Sequence, residues 1–303
     1  MCRMGEWVFD RSLWLLPGAL LLLTLTGCAG LTTQTGTTPG GQVVVGNSTE
    51  GLIDQAQQAY RNGQLQEALS HYQRVLSLQP DNARAHLGAG QVLLDMHRPA
   101  SALPHFEGVL QQSPDSAMAL EGRGFALIGL HRFHEAEATL QRVVQINPGR
   151  WRAWSGLGIL ADLRRDFATA QQHYRKALLV LPDHPLLLNN RAFSLMMLQR
   201  YPEAEALLRE AVRHAPDDVR ILNNLAWCLA AQQHYDEAYK LLSPHIPPAM
   251  ASNNIGYVAM LQGDYPAAVH FFNQALVQSP VFYERAANNL AEAQRLMKRS
   301  LAR

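Results

Sequence analysis

The chain has 303 residues, with 26 basic and 25 acidic side chains for a formal charge of +1. That balance excludes the basic footprint of a nucleic-acid binder and a long acidic disordered tail, so no nucleic-acid partner is expected. Apolar residues at 48% suffice for a core, while three cysteines, two of them within the first 28 residues, cannot build a disulfide framework. In chain order, Arg3 and Arg11 bracket a short N-terminal region. An apolar stretch of about 13 residues follows from Leu13 to Leu25, interrupted by Pro17, Gly18 and Thr24. At 1.5 Å per residue it makes about 20 Å of helix, short of a hydrocarbon core of roughly 30 Å. It therefore reads as the h-region of a signal peptide and not as a membrane span.

Leu25-Thr26-Gly27-Cys28 comes next, followed by Ala29 and Gly30. This resembles the lipobox of bacterial lipoproteins, in which small residues precede a cysteine that is diacylated and becomes the new N-terminus. The resemblance implies a signal peptide over residues 1–27 and lipidation at Cys28. Three acyl chains on that cysteine exceed the two anchors that stable membrane attachment requires. Ala29 stands where an Asp would retain such a protein in the inner membrane, which implies an outer-membrane lipoprotein on the periplasmic face. The alternative is an ordinary secretory signal followed by an unrelated cysteine. Residues 28–50 then form the lipidated N-terminus and a Gly- and Thr-rich tether without periodicity, with a random-coil reach of about 25 Å.

Prolines reveal the organisation of the rest. Pro80, Pro114, Pro148, Pro182 and Pro216 are each 34 residues apart, and Ala68, Ala102, Ala136, Ala170, Ala204 and Ala238 keep the same spacing. A 34-residue period is that of tetratricopeptide repeats, helix-turn-helix units that bury a core only by stacking. Placing each proline at repeat position 32 gives repeats 49–82, 83–116, 117–150, 151–184 and 185–218, a shortened 219–248, and 249–282. Position 8 of helix A is always Ala or Gly, and position 20 of helix B is always Ala, where two helices approach closely. Position 24 is large: Tyr72, Phe106, Leu140, Tyr174, Leu208, Leu242 and Phe272. The expected fold is all-α, a tetratricopeptide superhelical solenoid of about seven repeats over 51–282 with an amphipathic capping helix over 283–303. Pro244, Pro247 and Pro248 interrupt the sixth repeat, so its second helix must stop near Leu242, and a joint between the first five repeats and the last is expected there.

Chemistry-bearing motifs are missing. No phosphate loop, His-Glu-x-x-His pair, Cys-x-x-Cys or nucleophile elbow occurs, so neither a catalytic nor a metal site nor a cofactor is expected, and the chain is not read as an enzyme. His131-Arg132-Phe133-His134-Glu135 falls in the turn between two helices of one repeat, where neighbouring repeats also carry basic or polar residues. Cys228, between Trp227 and Leu229, reads as a small buried hydrophobe.

What remains is a surface. Helix A lines the concave face of this architecture, where positions 2, 5, 9, 12 and 13 share one arc. In the first two repeats these positions include Gln57, Arg84, Gln91 and Asp95; later position 9 becomes Phe125, Ile159, Phe193, Trp227 and Tyr257, joined by Met196, Met197 and Met260. Such a stripe suits an apolar segment, because Met adapts to irregular shapes and aromatics supply contact area. Beside it run Asn189-Asn190, Asn223-Asn224 and Asn253-Asn254, whose amides can fix the backbone of an extended ligand. The candidate partner-binding groove is thus Asn190, Phe193, Met197, Asn224, Trp227, Asn254, Tyr257 and Met260. The alternative is that these asparagines bond neighbouring turns and that helix packing buries the stripe.

Residues 253–257 (Asn-Asn-Ile-Gly-Tyr), the turn Gln262-Gly263-Asp264-Tyr265 and the ending Ser279-Pro280-Val281-Phe282-Tyr283-Glu284-Arg285-Ala286 carry a narrower resemblance. Together with the proline-rich break they resemble the TadD family, outer-membrane tetratricopeptide lipoproteins of the Tad (Flp) pilus assembly system. The resemblance implies a non-enzymatic scaffold that assists localisation or assembly of the pilus secretin by capturing a segment of the secretin or of another Tad component. The lipid anchor would raise the effective concentration of a weak groove. The competing expectation is an outer-membrane adaptor that recruits peptidoglycan hydrolases or synthases.

Overall fold

The computed structural model describes residues 48–302, so the signal segment, Cys28 and nearly all of the tether lie outside the described residues. Every element within them is an α-helix, fifteen in all. The described residues divide into two compact units, one ending at Asn147 and the other starting at Pro148. The first holds α1 (Thr49–Arg61), α2 (Leu65–Leu78), α3 (Ala83–Asp95), α4 (Pro99–Gln112), α5 (Ala117–Gly129) and α6 (Phe133–Ile146). The second holds α7 (Trp151–Leu163), α8 (Phe167–Val180), α9 (Pro185–Met197), α10 (Tyr201–His214), α11 (Val219–Ala231), α12 (Tyr235–Leu242), α13 (Pro248–Leu261), α14 (Tyr265–Gln278) and α15 (Glu284–Leu301). Within each unit a helix packs only on its neighbour in sequence and on the next but one, as stacked hairpins require.

The pairing inside each repeat follows from side-chain size. All seven position-20 alanines are fully buried, and the large position-24 residues are 0 to 5% exposed. In the four repeats with glycine at position 8, the position-24 side chain of the same repeat lies over that glycine. A Cβ added to Gly90 would come within 2.7 Å of the Phe106 ring, and one on Gly158 within 2.6 Å of the Tyr174 ring. No real Cβ tolerates such contacts, so the small residue is what lets helices A and B close. α1 starts two residues before the expected array boundary because the Ser48 hydroxyl accepts the Gly51 amide at 3.1 Å; the Asn82 side chain caps α3 in the same way.

Every turn from helix A to helix B is a Schellman cap. Position 15 takes positive φ throughout: Gly63, His97, His131, Arg165, Gln199, Gln233 and Gly263. In the third repeat the Arg132 amide returns to the Leu127 carbonyl at 2.9 Å and the His131 amide to that of Ile128 at 3.0 Å. His131 and Arg132 therefore belong to the turn, Phe133 to Glu135 open α6, and Glu135 is held in a bidentate pair by Arg132.

At the proline-rich segment α12 ends at Leu242 after eight residues, and α13 starts with Pro248 at its first turn, where a missing amide donor costs nothing. The expected joint is corrected. The unit boundary falls between Asn147 and Pro148, and the break lies inside the second unit. The reason is apolar continuity: Ala251, Ile255 and Val258 of α13 belong to the same core cluster as Leu225, Leu229 and Leu242. α15 ends the second unit with only Ala286 and Ala293 buried and Lys298 and Arg299 in its last turn, a polar cap. No described helix is long and apolar enough to cross a membrane.

Candidate functional site

The predicted groove residues all fall on α9, α11 and α13, the first helices of repeats five to seven, which pack side by side in the second unit. Asn190 and Phe193 are buried, at 5% and 4% exposure. Met197, Asn224, Trp227, Asn254, Tyr257 and Met260 are partly exposed. Met197 and Trp227 lean on the core of α9 to α13, while Tyr257 and Met260 lean on the small cluster formed by Ala259, Ala268, Phe272 and Ala293. Each of these four is thus part anchor and part surface. Of the eight predicted groove residues, six are therefore partly open to solvent, while Asn190 and Phe193 are buried.

The asparagines form a ladder between repeats. Asn224 Nδ2 donates to Asn189 Oδ1 at 2.8 Å, Asn254 Nδ2 to Asn223 Oδ1 at 3.4 Å, and Asn289 Nδ2 to Asn253 Oδ1 at 3.0 Å. These are the neighbouring-turn bonds of the alternative reading. They hold the three A helices in one register, the condition for a continuous face. Asn253, fully buried, keeps its Nδ2 without a partner among the described residues.

Beneath this face lies a polar node that sequence reasoning missed. Asp162, in the last turn of α7, accepts the Tyr174 hydroxyl of α8 at 2.8 Å and the Ser194 hydroxyl of α9 at 2.7 Å. Burial pushes its carboxyl up to about 7, against the pull of the two hydrogen bonds. The signal was there: position 12 is Tyr60, Leu94, Ile128, Met196, Ala230 and Met260 in the other repeats, and Asp162 is the one charged residue in that series. Cys228 is fully buried beside the Tyr201 carbonyl, and burial raises its thiol to about 12, so it is an unreactive core residue. An open cleft lined by Gln233, Tyr235, Asp236, Ala267, His270 and Phe271 includes none of the predicted groove residues.

Stacked antiparallel helix pairs with small residues at positions 8 and 20 and a Schellman turn at position 15 define a tetratricopeptide-repeat protein. A family model described as the C-terminal domain of cilia and flagella-associated protein 70 matches residues 19–254, and the chain belongs to this tetratricopeptide family. Among curated proteins no sequence match is found. The fold is similar to that of a tetratricopeptide repeat protein from Parabacteroides merdae, at 18% identity and a TM-score of 0.54, over 81% of this chain and 98% of that one. It is also similar to a thermophilic tetratricopeptide protein of Thermus thermophilus, at 19% identity and a TM-score of 0.53, covering 63% and 98%. A third likeness is to YrrB, described as a tetratricopeptide protein with an unusual peptide-binding site, at 19% identity and a TM-score of 0.50, covering 60% and 96%. At these identities the likeness carries the fold.

Proposed function

We propose that this chain is a non-enzymatic binding scaffold, anchored by lipid at Cys28 on the periplasmic face of the outer membrane, that serves Tad (Flp) pilus assembly. The partner is a segment of the pilus secretin or of another Tad component, captured on the A-helix face of repeats five to seven. One observation carries the binding reading: Met197, Trp227, Tyr257 and Met260 stand partly exposed in a row that the asparagine ladder holds in register. Aromatic and Met side chains left partly open on adjacent helices are the usual anchors of a protein interface. The peptide-binding site ascribed to YrrB supports such a use of the fold. The anchor and the pilus assignment rest on the lipobox-like Leu25-Thr26-Gly27-Cys28 and on the TadD-like C-terminal motifs.

The test is capture from detergent-solubilised envelopes by the lipidated protein, with Trp227→Ala as control and mass spectrometry as readout. Recovery of a secretin or other pilus components by the wild type alone supports the proposal. Recovery of peptidoglycan hydrolases or synthases instead overturns the pilus assignment in favour of the adaptor. Radiolabelled palmitate entering the wild type and not Cys28→Ala is the outcome expected for the anchor.

A further inference from the structure

The loop between α8 and α9 turns through Asp183, which has a positive φ of 60° and points its side chain toward α10. There Glu210 and His214 lie one helical turn apart. One ligand atom from each of the three, two carboxylate oxygens and an imidazole nitrogen, all lie within 4.8 Å of one another. This is the one such cluster of three or more metal-binding side chains found among the described residues.

Comparison of equivalent repeat positions shows how unusual the arrangement is. Asp183 occupies position 33, which is Asp81 and Asp115 in the first two repeats. Glu210 occupies position 26, which is Arg74, Arg142 and Lys176 in the first, third and fourth repeats. In the first unit Arg142 reaches from position 26 to Asp115 at 2.5 Å, an ordinary cation–carboxylate pair across a repeat junction. At the junction of repeats four and five the cation is replaced by a carboxylate. Position 30, elsewhere Leu78, Gln112, Ile146 and Val180, becomes His214. Two carboxylates this close repel each other unless a positive charge sits between them. Arg213 approaches Glu210 only to 3.7 Å, with its own side chain 74% exposed, and such surface pairs are weak. The C-terminal carbonyls of α10 add further negative potential at His214.

We propose that Asp183, Glu210 and His214 form a binding site for a divalent transition metal of the zinc class. One imidazole with two carboxylates suits Zn²⁺, Co²⁺ or Ni²⁺, whereas Ca²⁺ and Mg²⁺ take oxygen ligands alone. Three protein ligands leave the fourth tetrahedral position to water. Bonds of about 2.0–2.2 Å place neighbouring ligand atoms about 3.3–3.6 Å apart, so the side chains need to close by at most about 1.5 Å around the ion. Asp183 and His214 are exposed and Glu210 is partly exposed, which leaves them free to do so. The bound metal replaces the Arg–Asp pair of the other junction as a clasp between the α8–α9 turn and the end of α10.

The experiment is calorimetric titration of Zn²⁺ into the intact, chelator-stripped protein, alongside His214→Ala and Glu210→Arg, with melting curves for each. The wild type is expected to bind one equivalent and melt higher with Zn²⁺, with Mg²⁺ and Ca²⁺ giving no heat. Removing one ligand should weaken binding by about tenfold or more. Glu210→Arg should abolish binding and, with its Arg–Asp pair restored, melt no lower than the metal-free wild type. Co²⁺ should give the visible absorption of a four-coordinate site in the wild type alone. Wild-type protein that takes up no Zn²⁺, or His214→Ala that binds it as tightly as the wild type, would overturn the proposal.

Discussion

Ile128 and Asp162 occupy the same repeat position, one in each unit, and both are nearly inaccessible, at 4% and 6% exposure. Arg142 and Glu210 are likewise equivalent, one paired with Asp115 and the other facing Asp183. The A helices change along the chain as well: Gln57, Gln91 and Asp95 of the first two repeats give way to Phe125 in the third and to Phe193, Trp227 and Tyr257 in the second unit. Yet positions 8, 20 and 24 carry the same small-and-large pairing in both. A repeat frame fixed by few positions leaves the others free, and the second unit uses that freedom for a polar node, a carboxylate–imidazole cluster and an apolar face.

Breaking the shared frame should hurt both units alike. Phe106→Ala and Phe272→Ala remove a fully packed ring from one unit each, and each should cost about 3–5 kcal/mol in denaturant unfolding. A much smaller loss in one of them would mean the frame is not equivalent.

The Asp162 node should set the units apart by pH. Its carboxyl titrates at about 7 when folded against 3.8 as the reference, so between these values the folded state holds the extra proton. This contribution to stability is therefore full at acid pH and is lost as pH rises from about 4 through 7, by a few kcal/mol at most. Asp162→Asn should flatten that slope, while Ile128→Val should leave it unchanged. Denaturant midpoints at pH 5 and pH 8 measure it, and an unchanged slope in Asp162→Asn would refute the assignment.

Smaller effects belong to the ladder and the junctions. Asn224→Ala removes the 2.8 Å bond to Asn189 and should cost about 1 kcal/mol. In metal-free protein, Glu210→Arg should stabilise and Arg142→Glu destabilise by about 0.5–1 kcal/mol each, as exposed charge pairs do. Thermal melting of the two side by side tests the charge inversion directly.

The period and its packing were legible because size at positions 8, 20 and 24 depends only on contacts within one repeat. The stop of α12 at Leu242 was legible because proline acts locally. The asparagine pairs could be located but their bonds could not be assigned, since Asn224 meets Asn189 only through the register of stacked helices. Asn190 and Phe193 showed the same limit: their places on helix A could be read, but their burial by the stacked neighbours could not. Asp162 and Glu210 were visible as departures from their own positional series, yet reading each repeat for its agreement with the others passed over them. The unit boundary at Asn147 had no such mark, because Pro148 is the same position-32 proline found in the other repeats.

The partly exposed row on α9, α11 and α13 is proposed as a surface for a partner and not only as core. Its most direct test is capture of envelope proteins by Met197→Gln/Met260→Gln, with the melting curve recorded on the same preparation. Both side chains keep their length and are partly open to water, where the new amide stays solvated, so stability should change by about 1 kcal/mol or less per site. Loss of most of the captured partner with folding nearly unchanged is the expected result. Undiminished capture by the double variant would contradict it.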